Sequence, residues 1–296
     1  MSAGPFLVTG GTGQVGTGIA RVAARRGIAI ATPGRDALDL GDPASIDAAV
    51  KGGDWAAIIN CAAYTAVDRA ETERERAFAV NAEAPGHLAR AAAARGIPII
   101  HVSTDYVFDG GKDGFYDEAD PVAPLGVYGA SKEAGERAVR AANPRHIILR
   151  TAWVVSPWGQ NFIRTMLRLG AERERIGVVA DQIGCPSSAE DIADALLTIA
   201  TTADPAWGTY HFVNAGQASW HDVAGAVFDR ARAAGRKVPD SLDAIPTSAY
   251  PTPAKRPANS RLATAKIASA FAIAPRPWRD AIDAILTELL TEERVS

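Results

Sequence analysis

Short apolar runs alternate with longer, alanine-rich segments of mixed polarity through the first half of the chain. The runs at 6–9, 28–30, 57–60, 97–103 and 146–150 are apolar almost throughout rather than at every second position. That pattern marks parallel strands covered on both faces. Residues 14–26, 43–51, 68–95 and 127–142 between them read as helices, and the Asn143-Pro144 pair ends the last, because a residue before proline is driven out of helical backbone. Such alternation predicts an α/β protein with a parallel sheet and helices on both faces. The rhythm changes after about residue 152, where Trp153, Pro157, Trp158, Gly159, Gly184 and Pro186 crowd the sequence. A helix near 188–203 and a strand over 210–213 return to the sheet; residues 240–262 are loop-rich and a terminal helix covers about 277–292. The expected division is residues 1–154 with about 188–214 as one domain, and about 155–187 with 215–296 as a smaller, C-terminal-weighted one.

Composition narrows the class without naming it. A net charge of −3 over 296 residues offers no basic footprint for nucleic acid or an anionic membrane. Cys61 and Cys185 stand apart, and the five histidines are scattered, so neither a disulfide framework nor a metal site is expected. No stretch approaches membrane-spanning length, and residues 1–5 lead straight into a strand without the basic and apolar regions of a signal peptide. A soluble, cytoplasmic protein is expected.

Chemistry enters with the glycines. Gly10, Gly13 and Gly16 lie between the first strand and the first helix. Gly10 permits a tight turn, Gly13 the close approach of a pyrophosphate, and Gly16 close helix–strand packing. The helix N-terminus adds free N–H groups and a positive dipole, so a dinucleotide is the expected ligand. Near the end of the second strand lie Arg35, Asp36 and Asp39. A carboxylate there favours a ribose 2′-hydroxyl and Arg35 a 2′-phosphate, so NADH and NADPH are both expected to be accepted. Arg35 reads equally as a solvated loop residue.

Tyr128 and Lys132, at i and i+4, share one helix face, and Thr104 ends a preceding strand where open parallel sheets place their ligands. Random placement of six tyrosines and six lysines in 296 residues yields roughly 0.1 such pair. A lysine beside a tyrosine favours the phenolate and brings an acid of ordinary pKa about 10 into use near neutrality. A hydroxyl nearby can hold a carbonyl oxygen against that tyrosine. The set is equipment for reducing a ketone beside a nicotinamide.

The G-x-x-G-x-x-G spacing resembles the short-chain dehydrogenase/reductase superfamily. Longer strings resemble, more narrowly, its extended dTDP-4-dehydrorhamnose reductase family. They include Asn60-Cys-Ala-Ala-Tyr-Thr-Ala-Val-Asp68, Ser103-Thr-Asp-Tyr-Val-Phe-Asp-Gly110, Tyr128-Gly-Ala-Ser-Lys132, Arg150-Thr-Ala-Trp-Val154, Asp181-Gln-Ile-Gly-Cys-Pro186 and Ala254-Lys-Arg-Pro257. The resemblance runs nearly end to end and implies a Rossmann-type doubly wound sheet. By it, Gly13, Gln14, Val15, Asp39, Leu40, Ala62, Ala63 and Tyr64 line the dinucleotide, and Asn81 serves the fold and a proton relay near Lys132. Thr104, Asp105 and Tyr106 meet the sugar with Trp153 against the hexose, while Asn161, Phe162, Lys255 and Arg256 reach the nucleotide or its diphosphate. Lys255 and Arg256 read also as solvated loop charges. Val155, Ser187 and Lys255 depart from the family's usual residues, and Thr17 and Gly18 provide no carboxylate for the metal that bridges some relatives.

The implied reaction is NAD(P)H-dependent reduction of the C4 ketone of dTDP-4-dehydro-β-L-rhamnose, by a monomer or homodimer. A dehydratase of the same build would carry an Asp-Glu pair after the threonine, whereas Asp105 is followed by Tyr106. An epimerase, a reductase of a related 4-keto sugar, and a non-catalytic regulatory subunit of the same fold are the other readings. Retention of Thr104, Tyr128 and Lys132 argues against the last.

Overall fold

The apolar runs become a six-stranded, wholly parallel sheet in the computed structural model, which describes residues 4–292. Residues 1–3 and 293–296, the outer ends of the two expected domains, lie outside the described residues. The strands are β1 (Phe6–Thr9), β2 (Ile30–Ala31), β3 (Ala57–Asn60), β4 (Ile99–Thr104), β5 (His146–Thr151) and a return strand, Gly208–His211. Their order across the sheet is return strand, β5, β4, β3, β1, β2. The chain therefore leaves β1 toward β2 and comes back to pair β3 on its other side. That reversal opens a crevice above the carboxyl ends of β1 and β3.

Both faces are covered, which is why the strands could be apolar throughout. On one face Phe6 and Val8 pack with Ile19 and Val22 of α1 (Gln14–Arg26) and with Ile192 and Leu196 of a later helix, Ala189–Thr201. On the other, Leu7, Ile58 and Ile99 meet Ile46 of α2 (Pro43–Lys51), Leu88 and Val139. Each such side chain, fully buried, contributes about 1.5–3 kcal/mol.

The helix expected over 68–95 is broken into α3 (Val67–Ala70), α4 (Arg74–Phe78), a π turn at Ala79–Glu83, and α5 (Ala84–Ala93). Pro85 has no N–H to give the carbonyl of Asn81, so the ladder widens there. The next helix, α6 (Val127–Ala142), carries Tyr128 and Lys132 and packs on α5, the π turn and β4.

The remaining chain is more regular than its prolines suggested. Helices α7 (Phe162–Glu172), α8 (Ala189–Thr201), α9 (Trp220–Ala233), α10 (Ala265–Phe271) and α11 (Trp278–Glu292) are joined by short strands. Ile163, Met166, Val223, Val227, Phe228 and Leu286 form a second core from α7, α9 and α11. The strands Arg175–Val179 and Ser241–Ile245 pair in parallel beside it. The second lies inside the segment expected to be loop-rich. Helix starts there are locally coded: Asn161 caps α7, and Ser219 with Asp222 forms a capping box on α9. Among the described residues no helix is long and apolar enough to cross a membrane.

Candidate active site

A cleft of about 760 Å³ opens at the crevice above β1 and β3. Its floor is the glycine turn. Gly10 has φ +71°, and a Cβ there would sit 2.7 Å from the Ala62 nitrogen. At Gly16 a Cβ would meet the Gly10 carbonyl oxygen at 2.2 Å, so α1 could not rise so close to β1 with any other residue. The N-cap of α1 is Gly13, which offers no side-chain cap, and no acidic residue occupies the first turn. Its N–H groups and dipole thus face the cleft without an internal anion to satisfy them. These features fit a dinucleotide pyrophosphate. Gln14, Val15, Ala62 and Ala63 line the same cleft.

Thr104 is the last residue of β4, one position beyond the apolar run, and Tyr128 and Lys132 open α6 above it; all three line the cleft. Thr104 Oγ1 accepts the Tyr106 N–H at 3.2 Å and donates to Asp105 Oδ1 at 3.0 Å. Tyr106 meets Tyr128 edge-on, with ring centroids 5.3 Å apart. Burial pushes the Tyr128 phenol above its ordinary value, with Thr104 working against it. Lys132 follows one turn along α6. Lys132 itself, almost wholly buried, is lowered by burial to about 8, opposed by Glu136 and Cys61. Its Nζ donates to the Val102 carbonyl at 2.7 Å. Burial also raises the Asp105 carboxyl to about 6, against the Ser260 and Thr104 hydroxyls.

The wall opposite is aromatic. Trp153 and Trp220 stack with ring centroids 3.7 Å apart, and Phe162 leans on Trp220 at 4.6 Å. Trp153 holds φ +48°, a left-handed conformation that costs a non-glycine residue on the order of 1–3 kcal/mol and gathers at ligand sites. On its other side Gly184 makes room, for a Cβ there would fall 2.4 Å from the indole. Trp220 was absent from the sequence-based assignment. Nothing local in the sequence shows that it would meet Trp153.

Several expected contacts lie elsewhere. Asn81 is fully buried behind the cleft, where Oδ1 accepts the Tyr64 N–H at 2.7 Å and Nδ2 donates to the Tyr64 carbonyl and Ser131 Oγ. It braces the loop after β3 against α6 and does not itself line the cleft, nor does Tyr64. Asn161 is bound to Gln14 and to the Ser156 and Trp158 carbonyls, so it joins α7 to the glycine turn. Arg35 and Asp39 pair at 3.4 Å on the surface, and Leu40 lines a separate depression. Lys255 is exposed, whereas Arg256 binds Asp68 at 2.7 Å and reaches Tyr106.

A dinucleotide turn, a tyrosine and a lysine on one face of α6, and an aromatic wall, all lining one cleft, define a Rossmann-type oxidoreductase site. The family model described as "RmlD substrate binding domain" matches residues 5–291. A dTDP-4-dehydrorhamnose reductase of Sinorhizobium fredii is 43% identical over 97% of this chain and 98% of its own. The same enzyme of Bacillus anthracis, solved in complex with NADP, superposes with a TM-score of 0.89 at 34% identity, over 96% of this chain and 99% of that one. A Clostridium acetobutylicum dTDP-4-dehydrorhamnose reductase structure gives 0.89 at 33% identity with the same coverage. The chain belongs to the dTDP-4-dehydrorhamnose reductase family.

Proposed function

We propose that the protein reduces the C4 ketone of dTDP-4-dehydro-β-L-rhamnose to dTDP-β-L-rhamnose, using NADPH or NADH. The observation that carries this is the meeting of Thr104, Tyr128 and Lys132 with the Gly10–Gly16 turn in one cleft. The nicotinamide, when bound, supplies the hydride. Tyr128 gives its phenolic proton to the oxygen of the new alcohol, a task suited to a phenol that burial keeps protonated. Thr104 turns its hydroxyl from Asp105 to that oxygen, a hydrogen bond that strengthens as charge develops. Lys132 stands one turn behind the tyrosine as the local cation. Trp153 and Trp220 supply a face for the hexose, and Asp105 an acceptor for its hydroxyls. Cofactor contacts fall to Gly10, Gly13, Gln14, Val15, Gly16, Ala62 and Ala63, and Arg35 with Asp39 meets the ribose edge. Asn81 takes the role of a brace.

The same reading divides the chain into a dinucleotide-binding domain of residues 1–154 with about 188–214 and a sugar-nucleotide domain of about 155–187 with 215–296. It places the protein in the cytoplasm, as a monomer or homodimer. Incubation with NADPH and the 4-keto sugar, with the product identified by NMR, tests the function. Rhamnose stereochemistry at C4 is expected; the epimeric alcohol, or no nicotinamide oxidation, overturns it.

A further inference from the structure

Behind Lys132 runs a row of polar side chains where a sheet of this kind is ordinarily apolar. Thr9, Asn60 and His101 are register partners on the adjacent strands β1, β3 and β4, and each is at most 2% exposed. Leu7, Ile58 and Ile99, two residues earlier on each strand, face the same way and are core. Unpaired polar groups at such positions are costly, but these three bond to each other. Thr9 Oγ1 and Asn60 Oδ1 lie 2.5 Å apart, Asn60 Nδ2 and His101 Nδ1 2.9 Å, and His101 Nε2 and Lys132 Nζ 3.4 Å. The row thus ends on the lysine of the site.

Its hydrogens are constrained. With Asn60 Oδ1 accepting from Thr9, the amide donates to His101 Nδ1, so the imidazole proton sits on Nε2 and points at Lys132. That suits a neutral amine and opposes an ammonium, since two donors would face each other. With the Asn60 amide turned over, Nδ1–H donates to Oδ1, Nδ2 donates to Thr9 Oγ1, and Nε2 accepts from the ammonium. The imidazole stays neutral in both, for burial beside Lys132 and Arg140 holds its pKa well below the ordinary value. The other groups facing the pair are Tyr128, Glu136 and Arg140 on α6 and Cys61 after β3. Glu136 is already held by Arg150, with two contacts of 2.8 Å, and by Arg140, so it leaves the ammonium short of support.

We propose that the Thr9–Asn60–His101 row is a positioning device for Lys132, in which rotation of the Asn60 amide, the imidazole tautomer and the charge of the lysine change together. The proposal rests on the assignment of Lys132 to the reductase site. When the lysine releases its proton toward the cleft, the imidazole proton passes from Nδ1 to Nε2 and the amide turns over. One proton leaves the ensemble and no electron moves. His101 acts through Lys132 and touches neither substrate nor cofactor in this scheme.

Imidazole nitrogen NMR of the full-length protein reads the tautomer directly. The His101 signals, assigned with His101→Gln, should pass from the Nδ1–H to the Nε2–H pattern as pH rises through about 8, without an imidazolium stage, and should lose this step in Lys132→Met. A tautomer fixed from about pH 6 to 10 would overturn the proposal. In parallel, His101→Leu should move the basic limb of the kcat profile down by about one pH unit, the worth of a hydrogen bond to a charge. His101→Gln, whose amide oxygen can take the place of Nε2, should restore most of it. Unmoved limbs in a folded His101→Leu, with Lys132→Met inactive, count against the row. Full turnover in Lys132→Met counts instead against the site assignment. Should His101→Leu not fold, the spectrum of the parent protein decides.

Discussion

The two walls of the cleft are built in opposite ways. The wall to which we assign the acid–base chemistry comes from a single strand–helix unit: Thr104 ends β4, and Tyr128 and Lys132 occupy successive turns of α6, which packs directly on that strand. Its side chains are fixed by regular backbone and buried hydrogen bonds. The aromatic wall comes from Trp153 in a strained turn, Phe162 at the start of α7 and Trp220 at the start of α9, which converge only through the fold of the second core. One wall is thus rigid by local construction and the other by long-range packing. Chemistry that requires a proton donor within a fraction of an ångström suits the first; a surface that must match a particular hexose suits the second.

That contrast predicts a division of kinetic effects. Tyr128→Phe removes only a hydroxyl from the rigid wall, so kcat should fall by about 10²–10⁴ with NADPH affinity kept, as measured by steady-state turnover and fluorescence titration. A loss of less than about tenfold would mean that another group delivers the proton. Lys132→Met tests what the same wall costs the fold. The native lysine is lowered from 10.5 to about 8, so it releases its proton earlier than the unfolded chain does. Between those values the unfolded chain binds more protons, and stability rises with pH; below about 8 the full penalty of burying the charge is present. That penalty is about 3 kcal/mol, and losing the donor to the Val102 carbonyl gives back about 1. Lys132→Met should therefore be inactive yet about 2 kcal/mol more stable at neutral pH, with the gain fading as pH rises above 8. Urea titrations near pH 7 and near the ordinary lysine pKa measure both. A variant less stable at both would show that the lysine is part of the scaffold rather than a strain held for function.

The contrast also sets what could be read from the chain alone. The sheet, the glycine turn and the Tyr128–Lys132 pair were legible because each is encoded by neighbours: apolar runs, glycines at fixed offsets, an i, i+4 face. The break in the 68–95 helix was not, because Pro85 lies within otherwise helical composition and its effect is felt at Asn81, one turn back. The second core was concealed by its prolines, although Asn161 and the Ser219–Asp222 box marked two helix starts. The Trp153–Trp220 stack was beyond local pattern altogether, since its partners are joined by no periodicity. The burial of Tyr128 was hidden for a related reason: sequence spacing puts Lys132 on the same face, but the depth at which α6 sits, which raises the phenol, is set by the fold.

The aromatic wall yields the smallest effect and the most specific one. Trp220 lies against Trp153, which is held at φ +48° between that ring and Gly184. An aromatic pair adds about 0.5–1.5 kcal/mol beyond the area it buries, comparable to the strain of the left-handed backbone. Removing Trp220 therefore takes away both a contact face and the ring that keeps Trp153 in place. Trp220→Ala should raise KM for the sugar nucleotide about tenfold while kcat changes by less than about threefold, because Thr104, Tyr128 and Lys132 are anchored in β4 and α6. Trp220→Phe, which keeps a ring for stacking, should recover much of the loss, and Tyr128→Phe combined with Trp220→Ala should show additive effects on kcat/KM. A fall in kcat matching that of Tyr128→Phe would show that the two walls are coupled, and that hexose placement is set by the proton donor as much as by the stack.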